Sequence, residues 1–383
     1  MSENTKNRHE YIAAVIFCIF LCLPLLATIS PRIQPNLPAI EEKRVLTKFP
    51  GFPEINIYTL KSYTHKYEKY FNDQFGLRKL FLRSLALYRF HVFGGSISSD
   101  VMIGKEDWLF ANRYNTLDAY RGYKWFSSDD LIKIKNYLEK KQALLAERGI
   151  DYLYVIAPNK QSIYPEYFPA RFTKYGENYV DTFVEFMRDN SDVDILDLRH
   201  SLIKNKNKGQ LYYRTDTHWN SLGAYYAYRE IIKRLQKSHP DIKLVTKEQL
   251  ESIKEKSFSG DITDLMALSG VLTETVTNLK LKNAKALITL NEKVTNQIVT
   301  KNPDLAGPRV LMFRDSFTIH LQPFLSESFS FVKYIWTGNW PIEEELLSQL
   351  DKVKPDIVIE ERIENEVRAL RHIVNMGSQQ YLR

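Results

Sequence analysis

The sequence predicts an α/β fold, a mostly parallel sheet flanked by helices, and three observations predict it. Short apolar runs such as Tyr152–Ala157 (YLYVIA) and Val310–Phe313 read as strands covered on both faces. Longer stretches with one apolar face, such as Asp129–Arg148 and Ser221–Leu235, alternate with them. The chain has 383 residues, 44% of them hydrophobic, which is enough for one large domain with a sizeable core.

Taken in order, the first element is Tyr11–Ile29 (YIAAVIFCIFLCLPLLATI), which carries no charge. As a helix it is roughly 28 Å long, close to the thickness of a bilayer core. Lys6 and Arg8 precede it and only Arg32 follows nearby, which places the N-terminus in the cytoplasm and the body outside. The rival is a cleaved signal peptide. Ala27-Thr28-Ile29 does not offer small residues at both cleavage positions, and a cut after Ser30 would put Pro31 first. The favoured reading is a cytoplasmic tail over 1–10 and an uncleaved, single-pass transmembrane anchor over 11–29. Residues 30–57 hold Pro31, Pro35, Pro38, Pro50 and Pro53 and read as an extended tether. Residues 58–383 then form one domain.

Within that domain helical periodicity runs from Tyr58 to Phe93, with a break at Gly76. Val101–Phe110 reads as a hairpin turning at Lys105-Glu106-Asp107. The helix Asp129–Arg148 buries Leu131, Ile134, Leu138, Leu144 and Leu145 and stops at Gly149. After the strand at 152–157 come a helix at Tyr179–Met187, a strand at Val193–Leu198 and the helix at Ser221–Leu235. Further strands lie at Val310–Phe313, Phe329–Ile335 and Ile357–Glu360. Residues 245–306, rich in Thr, Asn and Lys, break this rhythm and read as an insertion at the rim of the sheet. Leu279–Leu290 partly alternates there, like a surface strand pair.

Composition narrows the function. The two cysteines, Cys18 and Cys22, both lie in the apolar run, so no disulfide framework and no cysteine nucleophile exists outside the membrane. The net charge of +7 is spread along the chain and suits an acidic glycan or a membrane surface. Without a basic block or zinc-finger spacing it does not point to nucleic acid. The 23 Tyr, 21 Phe and 5 Trp serve core packing first and a sugar-stacking cleft second.

Two motifs carry chemistry: Asp216-Thr217-His218-Trp219, just before a helix, and Phe313-Arg314-Asp315-Ser316-Phe317, at the end of a strand. Serine nucleophilic catalysis needs an imidazole against the hydroxyl, a carboxylate to fix its tautomer, and N–H groups for the oxyanion. An Asp two residues before a His can turn back onto its ring. A serine where a strand turns into a helix is lifted above the sheet edge, near the helix N-terminal N–H groups. Active sites of open α/β sheets lie at that edge. Singly, each motif has a plainer meaning: a capping Asp beside a surface His, and an N-cap. Metal ligation by Asp216 and His218 lacks a third spaced ligand, so neither metal nor cofactor is expected. His320, one helical turn after Ser316, is a competing base and reads first as structural or substrate-facing. Asp315 reads as a turn residue.

Arg214–Asn220 (RTDTHWN) followed by Gly223-Ala224-Tyr225 resembles the alginate O-acetyltransferases J and X and related SGNH-hydrolase-like proteins of bacterial exopolysaccharide acetylation. YFNDQFGLR at 70–78, IGKEDWLF at 103–110, APNKQSIYPEYFP at 157–169, FSGDI at 258–262 and LMFRDSF at 311–317 look like family blocks in family order. The resemblance runs from about Glu41 to the C-terminus. It implies an SGNH-hydrolase-like fold in which Asp216 and His218 supply acid and base and Ser316 is the nucleophile. It further implies a polysaccharide acceptor, a polytopic membrane acyltransferase that delivers the acetyl group, and a site on the outer side of a bacterial inner membrane. Arg314 stands where some members carry Gly and could crowd the oxyanion region. Lys160, Tyr164, Trp219, Arg314, His320, Trp340 and Arg362 are the candidate substrate-facing residues. The rivals are an acetyl-esterase using the same triad and a non-catalytic glycan-binding subunit.

Overall fold

The computed structural model describes residues 3–30, 32, 34–37, 40, 45–52, 56–113, 115–123, 125–290, 297–337 and 342–375. They fall into two compact units, one of residues 1–101 with 261–273, the other of residues 102–260 with 274–383. Helices longer than eight residues are labelled below.

The first unit is helical. α1 spans Glu3–Ile29, and its stretch Glu10–Ile29 is long and apolar enough to cross a membrane. Among the described residues of 30–56 no α-helix or strand forms. α2 (Ile57–Gln74) starts at a capping box, in which the Asn56 side chain accepts the N–H groups of Tyr58 and Thr59 while Thr59 returns a bond to the Asn56 N–H. Phe75 is extended, which breaks the helix one residue before the predicted Gly76, and α3 (Arg78–Phe93) follows.

The second unit carries the sheet. In chain order the strands are β1 (Val101–Ile103), β2 (Leu109–Ala111), β3 (Asp151–Ala157), β4 (Ile195–Asp197), β5 (Leu250–Phe258) and β6 (Glu274–Leu281), then β7 (Leu287–Leu290), β8 (Gln297–Lys301), β9 (Arg309–Arg314), β10 (Phe331–Trp336) and β11 (Ile357–Ile363). The main sheet has the order β4-β3-β11-β9-β10-β8-β7. Its first five strands are parallel, and β8 and β7 continue it antiparallel. The fold is thus the predicted α/β type. Its longer helices are α4 (Ser128–Ala146), α5 (Tyr179–Asn190), α6 (Ser221–Leu235), α7 (Thr318–Ser326) and α8 (Glu343–Val353).

Alternation along the strands sends side chains to two apolar layers. Leu153, Val155, Val310, Met312, Val332 and Ile359 pack under α6 and α7. Tyr152, Tyr154, Leu311, Phe313, Ile335 and Val358 pack against α4, α5 and α8. One expectation changes. Of the segment read as a rim insertion, β5 and β6 form a separate ribbon, whereas β7 and β8 belong to the main sheet. They form its edge, where one-sided cover gives the same alternation as a detached hairpin.

Because β3, β9 and β11 run parallel, their carboxyl ends share one edge. The segments that follow them begin at Pro158, Asp315 and Glu364, and Ser316 stands on the second.

Candidate active site

Two motifs distant in sequence meet at that edge. His218 Nε2 lies 2.7 Å from Ser316 Oγ, and His218 Nδ1 lies 2.7 Å from Asp216 Oδ1. The same Asp216 oxygen accepts the backbone N–H of His218 at 2.9 Å, which is the turn-back a D-x-H spacing permits. A carboxylate on Nδ1 fixes the proton there and leaves Nε2 to accept from the serine hydroxyl. The side chains of His218 and Asp216 are 18% and 13% exposed, so the pair is sheltered yet reachable.

The loop carrying the pair is pinned from several sides. Asn220 caps α6 by accepting the N–H groups of Leu222 and Gly223, both at 3.0 Å. The Asn220 N–H donates to Leu211 O at 2.8 Å, and that of Tyr213 to His218 O at 3.3 Å, closing a tight loop. Buried Glu274 accepts the N–H and the hydroxyl of Thr215 at 2.8 and 2.7 Å. Phe317 joins the motifs, since its carbonyl takes the Trp219 indole N–H at 3.0 Å and its ring lies 4.9 Å from that of His218.

The turn that carries Ser316 has its own clamp. Asp315 Oδ1 accepts the Phe317 N–H at 2.8 Å and Oδ2 accepts the Ile363 N–H at 2.6 Å. Beneath it, fully buried Glu361 accepts the Asp315 N–H at 3.1 Å and the Thr318 hydroxyl at 2.7 Å. The Phe317 N–H is therefore committed to Asp315, which removes one of the donors expected for the oxyanion at the start of α7. Burial, and the Asp315 carboxylate beside it, hold the Glu361 carboxyl well above its ordinary value of 4.5. The folded state thus keeps a proton that the unfolded chain releases, so this group lowers stability as pH rises from about 4.5 toward the folded pKa. Glu361→Gln keeps the acceptor oxygen without the titration. Its unfolding midpoint is expected to exceed the wild type at pH 8 and to match it near pH 4; equal pH slopes in denaturant titrations would refute this.

The other candidates settle differently. Lys160 is buried, and its Nζ donates to the carbonyls of Tyr213, Arg214 and Asp216 at 3.0, 3.1 and 2.6 Å. It ties down the loop that carries Asp216 and His218 and points inward. Tyr164 is a core residue, tilted against Trp108 with ring centroids 4.6 Å apart and its hydroxyl accepting the Leu211 N–H at 2.9 Å. Trp219 is fully buried for the same reason, its indole N–H being spent inside. Arg362 is buried against Glu360 and Thr337, so it too faces inward. Arg314 pairs with Trp336 across β9 and β10, and its guanidinium lies 4.8 Å from that ring, with Nη1 donating to Asp315 O. Its side chain follows the sheet face, and burial lowers its pKa. His320 sits 5.6 Å from the Tyr213 ring; burial, then His218, pushes its pKa down to about 4. It is neutral at pH 7. Trp340 lies outside the described residues.

Gly260, Glu274, Phe317 and Glu361 carry the site without having been assigned a role from sequence. Gly260 had a signal, its place in FSGDI. A Cβ there would stand 2.4 Å from Asp216 Cβ and 2.6 Å from its Cα. Gly260→Ala must displace Asp216 and is expected to lower kcat by about 10–100-fold with the fold intact; a wild-type rate in the alanine variant would contradict this.

The parallel sheet with this array at its carboxyl edge is that of an SGNH hydrolase-like α/β domain. The chain belongs to the family described as the SGNH hydrolase-like domain of acetyltransferase AlgX, whose model matches residues 101–300. That match includes Asp216 and His218 and ends before Ser316. The chain is similar to the probable alginate O-acetylase AlgJ of Pseudomonas syringae pv. tomato, 24% identical over 208 residues, 54% of this chain and 51% of that relative. The probable AlgJ of Pseudomonas aeruginosa is 26% identical over 218 residues, 55% and 52% of the two chains. The chain thus spans about half the length of the curated relatives it matches. Bacillus cereus PatB1 shares the fold at TM-score 0.52 and 14% identity, over 70% of this chain and 96% of that one. A DHHW family protein of Eubacterium siraeum does so at TM-score 0.50 and 15% identity, over 63% and 88%.

Proposed function

We propose that this chain is an O-acetyltransferase acting on an extracytoplasmic polysaccharide through a serine acyl-enzyme. The observation that carries the reading is the hydrogen-bonded line Asp216–His218–Ser316, with 2.7 Å at each step. Ser316 Oγ attacks the acyl carbonyl of the donor as His218 Nε2 takes the hydroxyl proton. The donor's leaving group departs with that proton. A sugar hydroxyl then attacks the acyl-enzyme, giving its proton to Nε2, and Ser316 regains a proton as the acetylated sugar leaves. Asp216 stabilises the imidazolium in both halves. Family membership supports acetyl as the group moved and a glycan as acceptor. The apolar helix α1 supports a single-pass anchor in the cytoplasmic membrane with the site outside, and the family resemblance implies a polytopic acyltransferase as donor partner.

The test incubates the full chain in detergent with an activated acetyl ester and candidate acidic oligosaccharides. Acetylated sugar, with label trapped on Ser316 when acceptor is withheld, is the expected result. Free acetate alone at saturating acceptor would assign the chain to ester hydrolysis instead.

A further inference from the structure

We propose that α3 carries a second membrane contact, an apolar stripe that lies in the surface of an anionic phospholipid bilayer beside α1. The proposal rests on the reading of α1 as an anchor.

α3 is apolar on two opposite sides. Leu82, Ala86, Leu87 and Phe90 are wholly or partly buried within the protein. On the other side Phe81, Leu85, Tyr88 and Val92 recur at helical spacing of four, three and four residues and share one face. They are 37%, 45%, 56% and 59% exposed. A helix apolar on both sides belongs in an environment that is apolar on both sides. α2 repeats the pattern with Leu60, Tyr67 and Phe71, all exposed.

What covers the stripe follows from its neighbour. The α2–α3 junction is docked on the end of α1: the Gly76 N–H donates to Thr28 Oγ1 at 2.8 Å, and a Cβ on Gly76 would fall 2.2 Å from the Ala27 carbonyl carbon. From there a chain of rings runs Phe71–Phe75–Phe81–Phe20, with centroids 5.8, 6.0 and 6.5 Å apart. Phe20 lies nine residues before the end of α1, about 13 Å inside the span. The Phe81 ring therefore reaches below the hydrocarbon margin when α1 crosses the bilayer, which sets the start of the stripe against acyl chains. Arg78 and Arg89 border one side of the stripe, and Ser84 and His91 the other. Basic groups beside an apolar face suit anionic headgroups over acyl chains. The consequence is a helical unit held by two contacts, with less freedom to tilt than a single spanning helix allows.

The test uses the full chain in protein-free vesicles of phosphatidylethanolamine and phosphatidylglycerol. One environment-sensitive fluorophore is placed per molecule, on Leu85→Cys or Val92→Cys in a Cys18→Ser/Cys22→Ser background. Lys79→Cys, on the other side of α3, is the control, and Cys18 retained with Cys22→Ser reports the anchor. Lipid-borne nitroxide is expected to quench positions 85 and 92 about threefold more strongly than position 79, and less in vesicles of phosphatidylcholine alone. Water-exposed labels at 85 and 92 with a quenched Cys18 would overturn the stripe while leaving the anchor. An unquenched Cys18 would overturn the anchor itself. Labels shielded from aqueous iodide yet untouched by the lipid quencher would mean that protein, a second copy included, covers the stripe, and would also overturn the proposal. Equal quenching in the two vesicle types would overturn the assignment to anionic lipid.

Discussion

Ser316→Ala and His218→Ala are each expected to lower turnover of an acetyl ester by about ten-thousand-fold, and together by hardly more than either alone. Serine is a poor nucleophile unless its proton is taken as it attacks, and His218 Nε2 at 2.7 Å is the group placed to take it. Removing the base therefore costs nearly what removing the nucleophile costs, because the two act as one unit. Asp216→Asn should approach the same loss with geometry intact, since an amide no longer enforces the proton on Nδ1. His320→Ala is the informative contrast. That ring is half-buried against Tyr213 and is uncharged at neutral pH, with its pKa near 4. Its loss should change kcat by only a few-fold. Turnover abolished by His320→Ala but preserved in His218→Ala would move the base and sink the mechanism. Steady-state rates, with circular dichroism to exclude unfolding, decide the matter.

The fold was largely legible because its strands are covered on both faces, so they appear as unbroken apolar runs between helices with a single apolar face. Where that cover changes, the reading fails. The sequence reading ends the last strand at Glu360, yet β11 continues to Ile363 through further charged residues. Glu360, Glu361 and Arg362 remain in the strand because each finds partners inside the protein. Asp216, His218 and Ser316 could be named because local rules apply to them: a short Asp–His spacing, a serine at a strand end. Lys160, Tyr164, Trp219 and Arg362, candidates for facing substrate or core, proved buried, and the sequence could not decide between the two for the opposite reason. Residue type allows either solvent or core, and what decides is a partner far along the chain, such as the carbonyls of Tyr213 and Asp216 for Lys160. Gly260 and Glu274 went unassigned on the same ground, since their partners, Asp216 and Thr215, belong to another segment.

The largest stability effect is expected at Lys141, beneath the sheet. It is fully buried on α4, with Nζ 3.0 Å from Glu360 and 3.4 Å from Glu343. Tyr152 donates to Glu360 at 2.8 Å, Tyr137 donates to Glu343, and Arg362 stands 3.6 Å from Glu360. Two carboxylates and two cations thus balance inside an apolar layer. Burial alone would raise the Glu360 pKa; Lys141 and then Arg362 outweigh it and hold the group below its ordinary value. Its contribution is therefore present above about pH 4.5 and fades as pH falls through the folded pKa. Lys141→Met leaves two buried carboxylates facing Arg362 alone and should destabilise the chain by about 3–5 kcal/mol at pH 7. Without Lys141 the burial cost governs Glu360, which then gains from protonation, so the deficit should shrink between pH 7 and pH 5. Lys141→Met with Glu343→Gln should recover part of it, because the second change removes the charge that the first strands. Chemical denaturation of the full chain in detergent measures all three. A deficit below about 1 kcal/mol, or one that widens on acidification, would show that this cluster is not held by its charges. Its stability role is separable from catalysis, because Glu360 and Glu361 are neighbours on β11 whose side chains leave opposite faces of the sheet. One steadies the layer below, and the other the turn that presents Ser316.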